Sequence, residues 1–169
     1  MNESTDHGPS ITPRSGWSAR VITVSDGVAA GTRQDRGGPA VADALLRAGA
    51  TLGDPVVVGD GVDSVAAVLL EACEGFNGVV ITTGGTGFGP RDLTPEATRS
   101  VIEREAPGMA EAMRVVNPLG RLSRGMVGTV GQALVVNLPG SPTGAVECLE
   151  AVVDVIPHAL KMLSGDTGH

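Results

Sequence analysis

The chain has 169 residues, 41% of them hydrophobic, which is enough for one globular domain with its own core. Its 12 basic and 19 acidic residues leave a net charge of −7, the wrong sign for a protein that grips nucleic acid through phosphates. Aromatics are limited to Trp17, Phe76 and Phe88, which removes the stacking platforms of single-strand binders as well.

Residues 1–17 are polar and lack the charged-then-apolar order of a signal peptide, so a disordered N-terminal tail is expected there. No run approaches the roughly 20 apolar residues of a membrane span, and a cytoplasmic protein with no membrane partner is expected. One domain over 18–164 and a short C-terminal tail, 165–169, complete the expected organisation. The first strand is ARVITVS (19–25), followed by a polar loop and a helix near 38–49. Within TLGDPVVVGD (51–60) a strand is expected near 55–58, and DSVAAVLLEACE (63–74) reads as a helix. GVVITT (78–83) is the next strand; a helix near 95–104 and another over 107–117, opened by Pro107, come after it. GMVGTVG (125–131) and ALVVNL (133–138) are separated by Gln132 alone. That gap cannot hold a crossover helix, so an antiparallel hairpin follows. A last helix, 142–162, is expected to kink at Pro157. Strands alternating with helices predict a three-layer α/β/α sandwich on a mostly parallel sheet, with an antiparallel edge hairpin.

Three times a hydrophobic strand runs into a Gly-rich loop and then a helix that starts at proline: at Pro39, at Thr94-Pro95 and at Ser141-Pro142. Thr94 and Ser141 are suitable N-caps, and proline loses nothing in a first helical turn. Ligands bind at the carboxyl ends of the strands in open α/β sheets. If these three strands are neighbours, their loops converge on one site rich in unpaired N–H groups, suited to an anion.

Several chemistries fall away on residue identity. Cys73 and Cys148 lie in apolar helix-like segments and read as inert core residues; His7 and His169 lie in the tails, and His158 reads as structural. Zinc catalysis and Cys-His or Ser-His nucleophiles are therefore unsupported. A P-loop needs a lysine after its second glycine, yet the one lysine is Lys161. Gly85, Gly87 and Gly89 run as G-x-G-x-G, which is not the dinucleotide fingerprint.

VSDGVAAGTRQDRGGP, TTGGTGFGPRDLTPEAT and NLPGSP, in that order, resemble the molybdenum-cofactor biosynthesis proteins of the molybdopterin adenylyltransferase (MoaB/Mog) family, over roughly residues 19–163. The resemblance implies a homotrimer that binds molybdopterin and Mg-ATP, transfers AMP to the terminal phosphate of the pterin, releases pyrophosphate and hands its product to a molybdate-inserting enzyme. It also implies two required carboxylates, which by position are Asp92 in the Gly-rich loop and Asp60 after the second strand. Ser25 and Asp26 match a further binding segment of the family. A non-catalytic paralogue that binds pterin or a protein partner is the alternative that the resemblance leaves open.

The residue chemistry suits that reading. Adenylyl transfer asks the protein for positioning and charge stabilisation, and Mg²⁺ takes one or two carboxylates besides phosphate oxygens and water. Asp92 and Asp60 are the candidate metal ligands, and Arg91 is a candidate to neutralise developing charge. The plainer readings are a local backbone cap for Asp92 and a turn residue for Asp60, with Asp63 competing to cap the next helix. Gly84, Gly85 and Gly87 allow backbone N–H groups to approach a ligand, and Thr83 and Thr86 offer hydroxyls. Thr94 starts the helix aimed at the ligand, while Asn137, Gly140 and Ser141 are expected to form the opposite wall. Arg33, Asp35 and Arg36 are either part of the site or a solvated loop. Phe88 either covers the pterin or packs between subunits.

Overall fold

A computed structural model describes residues 16–166. The expected tails therefore lie outside the described residues at 1–15 and 167–169, and the first strand already begins at Trp17, inside the boundary expected for the N-terminal tail. In chain order the elements are β1 (Trp17–Val24), α1 (Asp26–Ala29), α2 (Gly37–Arg47), β2 (Ala50–Leu52), β3 (Val56–Val58), α3 (Val62–Cys73) and β4 (Val79–Thr83). There follow α4 (Thr94–Val101), β5 (Arg104–Glu105), α5 (Pro107–Arg114), a 3₁₀ turn (Pro118–Leu122), β6 (Val127–Val130), β7 (Ala133–Leu138), α6 (Pro142–Glu150) and α7 (Ile156–Leu163).

The strand order is β2-β1-β4-β7-β6-β5, with β3 also on β1. The β1, β2, β3, β4 and β7 pairings are parallel, and β5, β6 and β7 form the antiparallel margin. This is the expected sandwich, and its side chains show why. Alternate residues of each central strand enter opposite layers. Val79, Ile81, Leu134 and Val136 pack with Leu45 of α2, Leu149 of α6 and Leu160 of α7. Val80, Val135 and Ile22 pack on the other face with Val65 and Leu69 of α3 and Ala97 of α4. Each fully buried Leu or Ile contributes about 1.5–3 kcal/mol, and the near-continuous apolar runs are what a sheet covered on both faces requires.

Two expectations are corrected and one strand is added. The strand expected near 55–58 is β3, which pairs with the end of β1, and the unexpected β2 precedes it and pairs with the start of β1. Pro55 has no N–H to give a ladder, so pairing lapses between them, although the Gly53 N–H still reaches the Ala19 carbonyl at 3.0 Å. The helix expected over 95–104 stops at Val101, because the chain turns extended to add β5 to the β6 edge. The kinked helix over 142–162 is two helices. Pro157 cannot bond the Val153 carbonyl, and its ring would crowd that group. The chain instead leaves α6 at Glu150 and restarts at Ile156, with Pro157 in the first turn of α7.

Candidate active site

The carboxyl ends of β1, β4 and β7 lie side by side, since β4 pairs with both of the others. Their loops are tied together at the strand ends. The Gly84 N–H donates to the Leu138 carbonyl (3.1 Å), and the Thr83 hydroxyl donates to the Pro139 carbonyl (2.8 Å). Gly84 has φ +111, and a Cβ there would overlap the Val24 carbonyl oxygen of β1. Only glycine lets the three strand ends close at this point.

The β1 loop is held by Asp35, which accepts from the Thr23 hydroxyl (2.7 Å) and from the Gly38 N–H (2.9 Å) at the start of α2. Asp35 is therefore a built part of this loop, and Gly38 has no room for a side chain, because a Cβ there would stand 2.5 Å from Thr23 Oγ1. Ser25 caps the short α1 by accepting from the Val28 N–H at 3.3 Å.

Asp26 and Asp60 bind each other reciprocally: each backbone N–H donates to the other's carboxylate at 2.9 Å. Arg91 reaches this pair from the Gly-rich loop, with Nε donating to Asp26 Oδ2 (3.0 Å), Nη2 to Asp26 Oδ1 (3.1 Å) and Nη2 also to the Asp60 carbonyl. The Arg91 hydrogen bond, ahead of the Asp60 backbone bond, holds the Asp26 carboxyl below its usual range. Both side chains are more than half exposed, so the pair adds little to stability and serves to join loops. The guanidinium proposed from sequence to neutralise developing charge is thus already bound to Asp26.

Asp92 lies across the loop, where its Oδ2 accepts from the Gly89 N–H at 2.8 Å. Thr94 does not cap α4 through its side chain as expected. The N-cap position falls on Leu93, and the buried Thr94 hydroxyl instead donates to the Gly84 carbonyl at 3.0 Å. Ser141 does cap its helix, accepting from the Gly144 N–H at 3.3 Å.

Two clefts open on these loops. The first, about 610 Å³, is lined by Ser25, Thr83, Gly84, Asp60, Arg33 and Arg36 among others. The second, about 660 Å³ and more apolar, is lined by Thr86 and Gly87 on one side and by Leu119, Leu122 and Glu147 on the other. Gly85, Asp92, Gly140 and Ser141 line both, so the clefts meet along one wall. Asn137 is corrected: it is buried at 1% exposure and lines neither cleft. Its Nδ2 donates to the Thr82 and Thr98 hydroxyls (3.0 and 2.9 Å), and its Oδ1 accepts from the Met126 N–H (3.0 Å). Both its N–H donors and its amide oxygen are engaged in joining β4, β7, α4 and the segment before β6. Phe88 is 73% exposed, with the Arg124 guanidinium 6.0 Å from its ring centre.

The carboxylates suit a magnesium ion brought by a polyphosphate. Asp60 and Asp92 line one cleft, each with one oxygen bonded to a backbone N–H and the other, Oδ1, with no protein donor among the described residues. No group of three or more His, Cys, Asp or Glu gathers among the described residues. Mg²⁺ prefers this arrangement, in which phosphate oxygens and water complete its shell, to an all-protein cage.

Sequence reasoning missed Arg124 and Glu147, which come from the segment before β6 and from α6. Neither sits in a motif, and only the fold brings them to the loops. No helix among the described residues is long and apolar enough to cross a membrane.

Known proteins resemble this chain in fold and sequence. The molybdopterin adenylyltransferase of Helicobacter pylori (strain J99) is 35% identical over 156 residues, covering 86% of this chain and 87% of that protein. The molybdopterin adenylyltransferase of Escherichia coli K12 is 34% identical over 165 residues, covering 86% and 84%. The crystal structure of the molybdopterin biosynthesis enzyme MoaB from Thermus thermophilus superposes with a TM-score of 0.82 at 42% identity, covering 88% of this chain and 97% of that one. The family model described as "Probable molybdopterin binding domain" matches residues 20–158, from β1 into α7, and the chain belongs to that family.

Proposed function

We propose that the protein adenylylates molybdopterin in molybdenum cofactor biosynthesis. The observation that carries this reading is the pair of clefts that share Gly85, Asp92, Gly140 and Ser141. A transfer between two bulky substrates needs two receptacles that meet where the bond is exchanged. A phosphate oxygen of molybdopterin attacks the α-phosphorus of ATP; a new P–O bond forms, the bond to the β-phosphate bridging oxygen breaks, and pyrophosphate leaves.

Arg33, Arg36 and the starts of α2 and α6 suit the first cleft to the triphosphate. Leu119 and Leu122 suit the second to the planar pterin, and the half-buried Glu147 carboxylate offers an acceptor for ring N–H groups. Asp60 and Asp92 would hold Mg²⁺, which supplies charge neutralisation on the phosphates. The Gly85 and Thr86 N–H groups have no protein acceptor among the described residues and are free to bind phosphate oxygens. A homotrimer in the cytoplasm, passing its product to a molybdate-inserting enzyme, belongs to the same proposal; the exposed Val115 (80%) is apolar surface that favours self-association.

The test mixes the protein with Mg-ATP and molybdopterin and follows pyrophosphate together with adenylylated pterin. Equal amounts of both are expected. Tight pterin binding with neither product would overturn the reading in favour of a non-catalytic binder.

A further inference from the structure

We infer that Arg124 is a positioning residue for adenylyl transfer, holding the Asp92 loop in its reactive shape from behind; the inference rests on the function proposed above. Arg124 precedes β6, far in sequence from the loop, yet its bonds go almost wholly to that loop. Its backbone N–H donates to the Thr86 carbonyl at 2.9 Å. Its Nε donates to the Gly87 carbonyl at 2.8 Å and its Nη2 to the Asp92 carbonyl at 2.6 Å. Its Nη1 pairs with Glu96 in the first turn of α4. One half-buried side chain and its own backbone thus fix both limbs of the loop to the helix that follows.

The consequence for the ligand side follows from peptide geometry. In a trans peptide the carbonyl of one residue and the N–H of the next point in opposite directions. With the Thr86 and Gly87 carbonyls turned to Arg124, the Gly87 and Phe88 N–H groups point away from it. Neither N–H has a protein acceptor among the described residues, and Gly87 lines the second cleft. Arg124 therefore decides which face of the loop presents donors. The loop cannot decide this itself, because Gly85, Gly87 and Gly89 carry almost no conformational preference. Its own bonds close the Asp92–Gly89 turn, through the Asp92 carboxylate and the Asp92 N–H, and its base, where the Thr94 N–H donates to the Gly85 carbonyl at 3.0 Å; none of them holds the Thr86 or Gly87 carbonyl.

Arg124 is itself held in place. Arg114 of α5 donates to the carbonyls on either side of it, Ser123 at 3.1 Å and Gly125 at 2.8 Å. The bonds from separate guanidinium nitrogens to Gly87, Asp92 and Glu96 need a planar fork, which a lysine ammonium cannot reproduce.

The experiment compares the parent with Arg124→Ala and Arg124→Lys by pyrophosphate release, pterin binding and amide hydrogen exchange of the substrate-free protein. In Arg124→Ala, kcat is expected to fall on the order of 10²-fold, the scale of a misplaced reacting group, while pterin affinity changes far less. Exchange is expected to rise over residues 85–93 and to stay unchanged in β4 and β7. Arg124→Lys lies between the two, and it carries the test if the alanine variant fails to fold. Methylguanidinium added to Arg124→Ala is expected to restore part of kcat. Turnover within twofold of the parent, or loop exchange that does not change, overturns the inference; so does exchange rising through β6 and β7, which marks a brace of the fold. A parent protein that makes no product overturns the proposed function instead, and the exchange arm still decides whether Arg124 holds the loop.

Discussion

Replacing Gly84 with alanine tests how tightly the three strand ends close. Two costs add at this position. A side chain at φ +111 carries strain of about 1–3 kcal/mol. The new Cβ also overlaps the Val24 carbonyl oxygen and lies 3.3 Å from its carbon; both belong to β1, which is paired on either side and cannot rotate away. Overpacking against such rigid atoms costs about 1–3 kcal/mol more. The sum of about 2–6 kcal/mol is a large fraction of a typical domain's stability and, at about 2–4 °C per kcal/mol, lowers Tm by roughly 4–24 °C. Gly131→Ala is the matched control, since Gly131 also has positive φ (+56) but nothing stands within 4 Å of its Cβ position. It should cost only the left-handed backbone penalty, about 1–2 kcal/mol. Thermal and urea unfolding of both variants measures the difference directly. Equal losses would refute the close approach of β1 to the Gly-rich loop. A folded Gly84→Ala protein should also lose turnover, because Gly84 and Gly85 move with the wall shared by the two clefts.

Asp92→Asn should cut turnover by at least about 100-fold while leaving the loop intact, since an amide oxygen can still accept from the Gly89 N–H; near-normal steady-state rates would reduce Asp92 to that structural bond. Asn137→Ala should cost about 2–4 kcal/mol in urea unfolding, because it strands the buried Met126 N–H. Unchanged stability with weakened pterin binding would return Asn137 to the ligand wall. Burial pushes the Cys73 thiol up from the ordinary 9.0 to about 11, and Cys148 is raised too, first by burial and then by the Glu147 charge. The folded protein retains the Cys73 proton where the unfolded chain has lost it, so stability should be steady below pH 9 and decline as pH rises towards 11. Neither thiol should react with iodoacetamide at pH 8 until the protein unfolds; rapid labelling of native protein would contradict this.

The parallel sheet, its layers and the convergence of three loops were legible because they depend on local pattern. β-branched runs of strand length, helices with an apolar stripe and prolines in first turns each act within a few residues. Ser141 behaved as its neighbours in sequence dictate. Thr94 did not, although it has the same Ser/Thr-Pro context. Its hydroxyl found the Gly84 carbonyl, which is brought close only by the Gly84 and Gly85 backbone, and a buried carbonyl outweighs a cap that water can replace. β2 and β5 were missed for a similar reason: two or three residues carry too little pattern, and pairing with β1 or β6 supplies the order. Asn137 looked like a ligand contact because it opens NLPGSP near the end of β7. Side-chain direction decided otherwise, and the two threonines that complete its bonding lie 39 and 55 residues away.

Arg124 illustrates why a Gly-rich site cannot be read from its glycines alone. Glycine allows the backbone to approach a ligand, and the same freedom leaves the loop without a preferred shape. The information that fixes the shape must then come from outside the loop, through groups able to bind several carbonyls at once. Here Arg91 ties the front of the loop to Asp26 and Asp60, and Arg124 ties the back of it to Glu96. The two differ in setting: the Arg91 pair is exposed and exchangeable with incoming phosphate, whereas Arg124 is half-buried and bonded to backbone. Arg91→Ala and Arg124→Ala should accordingly separate in a salt titration. The Arg91 contacts weaken with screening, so the parent should drift towards the Arg91→Ala rate as salt rises, while the deficit of Arg124→Ala against the parent holds. If both deficits vanish together with added salt, the distinction between a front latch and a rear clamp is wrong.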